Sequence, residues 1–258
     1  MSKRISLCIS CRNRLWQIQQ TLSENLSSLD ADMEIVLVDY GSSDGLSDWV
    51  WAHFESHIRE GMLTFFQVTN PVTWSSPKAK NLAHRLAKGS YLFNADADNF
   101  FTPTDCRLIR DAAVTGLPSH QWSGHYGDGS FGRIGLSQAA FLDIGGYDEN
   151  LLPMGTQDKD LLARLGALDD RFFKLPPPMK PAIPNTPGDK VKEMGMLSES
   201  ADPSLVYYFT NQTNQTLSHL KLKIEGPKRV GGHASFQGLL NGVPVVMDGF
   251  NTITTQET

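Results

Sequence analysis

Residues 91–100 read YLFNADADNF. Tyr91, Leu92 and Phe93 form an apolar run of strand type that ends on two carboxylates, Asp96 and Asp98, with one alanine between them. Alternate residues of a strand project to one face, so the pair crowds like charge unless a cation relieves it. Hard divalent cations take carboxylate oxygens and share them with substrate phosphates, which makes the pair a candidate metal site. An acidic turn opening the loop at Asp98-Asn99 accounts for the same letters. The flanking chain has to decide between them.

On the N-terminal side, strand and helix patterns alternate. Residues 4–10 (RISLCIS) form a short apolar strand, and Leu15, Ile18, Leu22 and Leu26 then recur at helical spacing. MEIVLVDY, residues 33–40, is nearly continuous in apolar residues, as a parallel strand covered on both faces is. In GSSDG, Asp44 is placed to cap the helix carrying Leu46, Val50 and Phe54. MLTFFQV is a third strand. Ser76, Pro77 and Gly89 punctuate a third helix as N-cap, first helical residue and terminator. Repeated β-α-β units predict an α/β fold with a mostly parallel sheet and helices on its faces. Ligands bind beyond the carboxyl ends of such strands, where Asp39 and the Asp96/Asp98 pair both fall.

Past residue 130 the pattern loosens. GRIGLSQAAFLDIGGYDENL predicts a strand, a short helix from Ser137 and a turn at Gly145-Gly146. A helix is expected over residues 157–165, with Asp158 and Asp160 in its first turn, where the helix dipole favours carboxylates. Beyond residue 200 the reading is a helix over 204–210, a strand in HLKLKIEG and another in VPVVMDGF. Residues 1–200 are expected to form the main domain and 201–258 a C-terminal extension packed on it or continuing it.

The chain has 258 residues, 40% hydrophobic and 20% charged, which suits a globular protein with a full core. Its formal net charge of −5 argues against a nucleic-acid partner. No run reaches the ~20 apolar residues of a membrane span. Met1-Ser2-Lys3-Arg4 leads straight into a strand with no signal peptide of the usual form, so a cytoplasmic, bacterial-type protein is expected. Three cysteines are too few for a disulfide framework, and Cys8 and Cys11 read as buried thiols rather than a redox pair. Tandem sequons at Asn211 and Asn214 read as chance polar sequence.

Five segments stand in a familiar order: ISLCISCRNR, EIVLVDYGSSDG, KAKNLAHRLAKGSYLFNADADNF, GGYDENL and GTQDKDLLARL. Together, over roughly residues 4–190, they resemble GT-A glycosyltransferases of the family 2 type, and among these the β-1,4-galactosyltransferase and chondroitin-polymerase branch. The resemblance implies a GT-A fold and an inverting, metal-dependent transfer from a UDP-sugar donor (Gal, GalNAc or GlcNAc) to a saccharide acceptor. Arg12, Arg14, Asp39, Lys78 or Lys80, and Asp96 would then lie at the nucleotide. Asp98 would ligate Mn²⁺ or Mg²⁺, Gly132 would form part of the donor-sugar wall, and Asp158 would be the general base.

Three departures from that branch are visible. Gln157 stands where a glutamate precedes the base, and an amide can donate as well as accept. Met154 replaces a tryptophan that stacks on the acceptor sugar. Asn185 replaces a histidine metal ligand, and a carbonyl oxygen favours a harder cation or a site completed by water. His233 is a second possible donor, and residues 186–200 are expected to act as a lid. Two other readings compete: a non-catalytic UDP-sugar or glycan-binding domain, and a nucleotidyltransferase. The second normally carries a Gly-rich loop after strand one, and SCRNRL has no glycine.

Overall fold

The apolar runs become the central strands of one ten-stranded sheet, in a computed structural model. It describes residues 4–70, 72–194, 201–228, 234–248 and 252–255, the last as backbone only. The first half runs β1 (Ile5–Cys11), α1 (Leu15–Ser27), β2 (Met33–Asp39), α2 (Leu46–Arg59), β3 (Leu63–Val68), α3 (Ser76–Leu86), β4 (Tyr91–Ala95) and α4 (Pro103–Thr115). Next come β5 (Ser119–His120), β6 (Ile134–Ser137), α5 (Gln138–Asp143), α6 (Gln157–Leu168) and β7 (Phe173–Lys174). The chain ends with α7 (Pro187–Val191), a 3₁₀ turn (Lys192–Met194), α8 (Pro203–Ile224), β8 (Phe236–Leu240), β9 (Val243–Asp248) and β10 (Thr252–Thr255).

Strand order is β10-β9-β8-β3-β2-β1-β4-β6-β5-β7, and the β3-β2-β1-β4 centre is parallel. Register pairs Cys11 with Asp39 and Ile9 with Ala95, so Asp39 and the Asp96/Asp98 turn emerge at the same edge. Side-chain alternation splits the core in two. Ile5, Leu7, Ile9, Met33, Ile35 and Leu37 pack under α1, α2 and α4, while Cys8, Val36 and Val38 pack under α3, α5 and α6. Cys8 and Cys11 therefore point to opposite faces and are both free and buried, which rules out pairing between them.

Local punctuation differs from expectation at three points. Asp44 Oδ2 accepts from Leu15 N at 2.8 Å and its Oδ1 from Leu46 N at 3.3 Å, so it serves the starts of both α1 and α2, while the N-cap position of α2 is Gly45 in the left-handed region. The N-cap of α3 is Ser75, one residue early, which puts Pro77 in the second helical position. Helix α3 stops at Leu86, and Gly89 serves a different purpose. A Cβ there would lie 2.8 Å from Ile5 C and Ser6 N of β1.

Residues 203–248 continue the fold. β8 pairs antiparallel with β3, and α8 packs on α6 and α7. HLKLKIEG is not a strand: it forms the last turns of α8, a helix far longer than the expected 204–210. The inward face of α8 is polar, with Asn211, Asn214, Ser218 and Lys221 recurring at helical spacing. Each has a partner across the contact, Asp160 for Ser218 and Asp148 for Lys221 among them. An apolar-periodicity test cannot see such a face.

Gly89→Ala is expected to cost about 1–3 kcal/mol by forcing the turn between α3 and β4 away from β1. That lowers the thermal midpoint by roughly 5 °C in a calorimetric scan. An unchanged midpoint would return Gly89 to the role of a simple helix terminator.

Candidate active site

At the carboxyl edge of the parallel strands lies a cavity of about 590 Å³. β4 delivers the acidic pair to its floor. Asp96 N donates to Asn99 Oδ1 at 3.2 Å and Asn99 N returns to Asp96 O at 3.0 Å, so the ADADN turn closes on itself. Asn99 Nδ2 also donates to Asp98 Oδ1 at 2.9 Å and to Gly129 O at 3.1 Å. Asp98 is 4% exposed. Burial first, then the neighbouring Asp96 carboxylate, pushes its pKa up to about 7.

The cation beside Asp96 belongs to the protein. Lys80, from α3, reaches the floor with its Nζ 2.8 Å from Asp158 Oδ1 and 3.4 Å from Asp96 Oδ1. Burial alone would push this ammonium down, but Asp158 and Asp96 together outweigh it and hold its pKa above the ordinary value. Asp158 shifts the same way for a different reason: burial raises it, and Lys80 offsets only part of that. The wall facing both carboxylates is Gly132. A Cβ there would lie 3.0 Å from Asp96 Oδ2 and 3.2 Å from Asp158 Oδ2, so only a bare backbone keeps that space open. Asn94 Nδ2 fixes it by donating to Gly132 O at 2.7 Å.

Asp158 owes its position to α8. Thr156, the N-cap of α6, has φ +68°, unusual for a β-branched residue, and Gly155 before it has φ +90°. The turn is locked from outside. Thr156 Oγ1 donates to Asn211 Oδ1 at 2.7 Å, and Asn214 Nδ2 donates to Gly155 O at 2.7 Å and to Met154 O at 3.2 Å. Both sequon asparagines are thus structural, and Asn214 is fully buried. Behind Asp158, Asp160 accepts from Arg164 Nε and Ser218 Oγ, each at 2.7 Å. Gln157 and Met154 line the cavity. Gln157 Nε2 donates to Ser76 Oγ at 3.1 Å, while its Oε1 is buried with no hydrogen-bond partner.

Asn185 supplies the test of a metal at Asp98. Its Nδ2 donates to Asp98 Oδ2 at 3.2 Å, and its Oδ1 is buried without a hydrogen-bond partner. Turning the amide over presents that oxygen beside the carboxylate, so two oxygens converge as a hard cation requires. The residues fit a divalent ion completed by substrate or water. Among the described residues, no cluster of three His, Cys, Asp or Glu side chains is placed to hold a metal. His233 lies outside the described residues.

At the opposite end, Arg12, Asn13 and Arg14 grip the segment that follows Asn185. Arg12 Nη1 donates to Val72 O at 2.6 Å, and its Nε lies 3.4 Å from Glu193 Oε2. Asn13 Nδ2 donates to the same oxygen at 2.7 Å, and Arg14 donates to Asp189 O. Of the segment expected as a lid, residues 186–194 form α7 and the 3₁₀ turn over this end, and 195–200 lie outside the described residues. Arg12, Arg14, Asp96, Asp98, Gly132, Met154, Gln157, Asp158 and Asn185 all line the one cavity. Asp39 and Lys78 do not. Asp39 is buried with Oδ1 accepting from Ser42 N at 2.8 Å, which makes it a strand-end cap. Lys78 is half-buried on the α3 surface, two residues and a half-turn away from Lys80.

Residues 6–130, a little under half of the chain, match the family model described as Glycosyl transferase family 2. No curated protein matches the chain. Several solved structures resemble it. A mannosyltransferase from Pyrobaculum calidifontis, in complex with GDP-Man and Mn²⁺, is 15% identical, with a TM-score of 0.56 over 88% of this chain and 73% of that one. TarS from S. aureus, in complex with UDP-GlcNAc, is 17% identical, with a TM-score of 0.53 over 86% and 77%. Glucosyl-3-phosphoglycerate synthase from Mycobacterium tuberculosis, in complex with Mn²⁺, UDP and glucosyl-3-phosphoglycerate, is 14% identical, with a TM-score of 0.55 over 76% and 82%. At such identities the likeness establishes the fold, a GT-A-like α/β fold with a central mixed sheet. With the family match it supports a glycosyltransferase enzyme.

Lys80→Met is expected to leave Asp96 and Asp158 facing each other without compensation, at about 3 kcal/mol near neutral pH. Without the ammonium, Asp158 titrates still higher, so the folded state prefers its protonated form. The penalty is full above that raised pKa and fades as pH falls through it. Thermal midpoints of both proteins between pH 4.5 and 8 check this, and a gap independent of pH would refute the pairing.

Proposed function

We propose that the chain is an inverting, metal-dependent glycosyltransferase that moves a hexose or N-acetylhexosamine (Gal, GalNAc or GlcNAc) from a UDP-sugar to a saccharide hydroxyl, in the manner of the β-1,4-galactosyltransferase and chondroitin-polymerase branch. The observation that carries this is the meeting of Asp158, Lys80 and the Asp96/Asp98 pair around Gly132 in one cavity. The donors printed for similar structures, UDP-GlcNAc and GDP-Man, are nucleotide-diphosphate sugars, consistent with such a donor here. No described helix is long and apolar enough to cross a membrane, and action in the cytoplasm is part of the proposal.

In this reading Asp158 takes the proton from the acceptor hydroxyl as its oxygen bonds to the anomeric carbon. The bond from that carbon to the diphosphate oxygen breaks on the opposite face, its electron pair leaving with UDP. Lys80 fixes Oδ1 of the base and offsets part of the upward push that burial gives its pKa, which leaves Oδ2 toward the gap at Gly132. Gln157 lines the cavity next to Asp158. Asp98 and Asn185 would hold Mn²⁺ or Mg²⁺, which when bound neutralises charge on the diphosphate. Arg12 and Arg14 flank the nucleotide end.

Asp158→Asn is expected to cut sugar transfer at least a hundredfold. UDP affinity should stay within about twofold, because the change leaves nucleotide contacts in place. UDP release from UDP-Gal, UDP-GalNAc and UDP-GlcNAc measures the first, calorimetry the second. Unchanged turnover removes Asp158 from the role of base.

Metal binding carries its own pH signature. The cation needs Asp98 ionised, so Mn²⁺ affinity should fall about tenfold per pH unit below about 7 and level off above it. Asp98→Asn should abolish both the affinity and its slope in a Mn²⁺ titration followed by electron paramagnetic resonance. A flat profile in the unaltered protein would contradict the assignment.

A further inference from the structure

Beside Asp158 the cavity has an aromatic, cationic flank that proton transfer does not use. The loop between β5 and β6 folds onto itself there. His120 Nε2 bonds to Phe131 O at 2.9 Å, Trp122 Nε1 donates to His125 O at 3.3 Å, and Asp128 Oδ1 accepts from Ser130 N at 2.9 Å. Arg133, fully buried, anchors its far end by donating to Phe100 O at 3.0 Å and to Gln121 Oε1 at 2.6 Å. The rings pack in series, Trp122 to Tyr126 at 4.9 Å and Tyr126 to Phe131 at 5.3 Å between centroids. Tyr126 is 67% exposed and yet braced on the Trp122 and Phe131 rings. A rigid ring facing solvent loses little entropy when the C–H face of a pyranose packs on it. Phe131 directly precedes Gly132, so the platform runs up to the gap between Asp96 and Asp158.

Lys159 completes the flank. Successive residues of the first turn of α6 diverge by about 100°. Asp158 meets Lys80, Asp160 turns inward to Arg164, and Lys159 leans over the platform, its Nζ 4.5 Å from the Tyr126 centroid and 5.9 Å from that of Phe131. Arg12 and Lys80 each face a carboxylate within 4 Å; among the described residues Lys159, like Arg14 and Lys190, has none, and of these three only Lys159 adjoins Asp158 in the chain. Its charge is directed into the cavity and left for a ligand.

We infer that Tyr126, Phe131 and Lys159 form the acceptor subsite, and that the acceptor is a saccharide carrying an anionic group, a carboxylate or a phosphate, paired with Lys159. This rests on Asp158 being the base of a transfer reaction, since that fixes which side of the cavity the acceptor enters. It also answers the tryptophan-to-methionine change at Met154: the stacking surface comes from the loop at 122–131 instead of from the start of α6.

The test uses UDP-loaded protein and three probes: methyl β-glucoside, methyl β-glucuronide and glucose 6-phosphate. Dissociation constants come from saturation-transfer NMR, with UDP affinity measured on the same samples. At least one anionic sugar should bind about fivefold tighter than the neutral one, a preference that shrinks with added salt. Which anion gains more identifies the source of the charge. Lys159→Gln should equalise the probes, and Tyr126→Ala should weaken all three by roughly fivefold, with UDP affinity kept as the check on folding. Equal binding of neutral and anionic sugars, a preference surviving Lys159→Gln, or no sugar binding at all would overturn the inference. If UDP binds while the preference is absent, only the anionic acceptor falls; if UDP itself does not bind, the transferase reading falls with it.

Discussion

One buried ammonium holds the cavity in shape. Lys80 stands between a carboxylate at the end of β4 and another in the first turn of α6, segments separated by 62 residues of chain. Ion pairs withdrawn from water stabilise little by themselves, because desolvation consumes most of the attraction. Their value lies in position. With Lys80 in place, Asp96 and Asp158 approach closely enough that Gly132 is the only wall they tolerate, and one face of each carboxylate is left toward the space it frames. The charge that binds the two halves of the fold together is also the charge that fixes how Asp158 faces the cavity.

Around that centre the C-terminal helix serves as scaffold. Helix α8 turns amides and hydroxyls toward the domain, and these lock the strained Gly155-Thr156 turn from which α6 starts. Its apolar side chains Leu205, Phe209, Leu220 and Ile224 are instead exposed. A polar contact of this kind fixes direction better than an apolar one, since each hydrogen bond is satisfied in a single geometry. The same logic operates at the opposite end of the cavity. Arg12, Asn13 and Arg14 bond to the Asp189 carbonyl and the Glu193 carboxylate, so α7 and the 3₁₀ turn close over a basic edge.

Much of this was legible in the chain. The alternating apolar runs determined the parallel centre of the sheet, because strands covered on both faces have little freedom in composition. Spacing then placed Asp96 and Asp98 at a carboxyl end, where ligands bind, and Asp158 in the first turn of a helix. Lys80 was harder to distinguish from Lys78, because two lysines on one helix are equivalent until a partner from another element selects one. Asp39 stands at the expected edge, where its Oδ1 accepts from Ser42 N and caps the strand end. The helical nature of residues 219–224 was hidden because the face that fixes α8 is polar, and hydrophobic periodicity carries no information about it.

By itself, then, the sequence determined the sheet, the order of its central elements and which carboxylates stand at its edge. Local pattern and strand periodicity suffice for these because they depend on neighbours along the chain. The tertiary structure alone decided that Lys80 bridges the acids, that Asn211 and Asn214 brace the turn before Asp158, that the Asn185 amide meets Asp98, and that Tyr126 and Lys159 flank the site. Each of these is a contact between residues dozens of positions apart or on separate elements. Its energy depends on distance and burial that exist only once the sheet has brought them together.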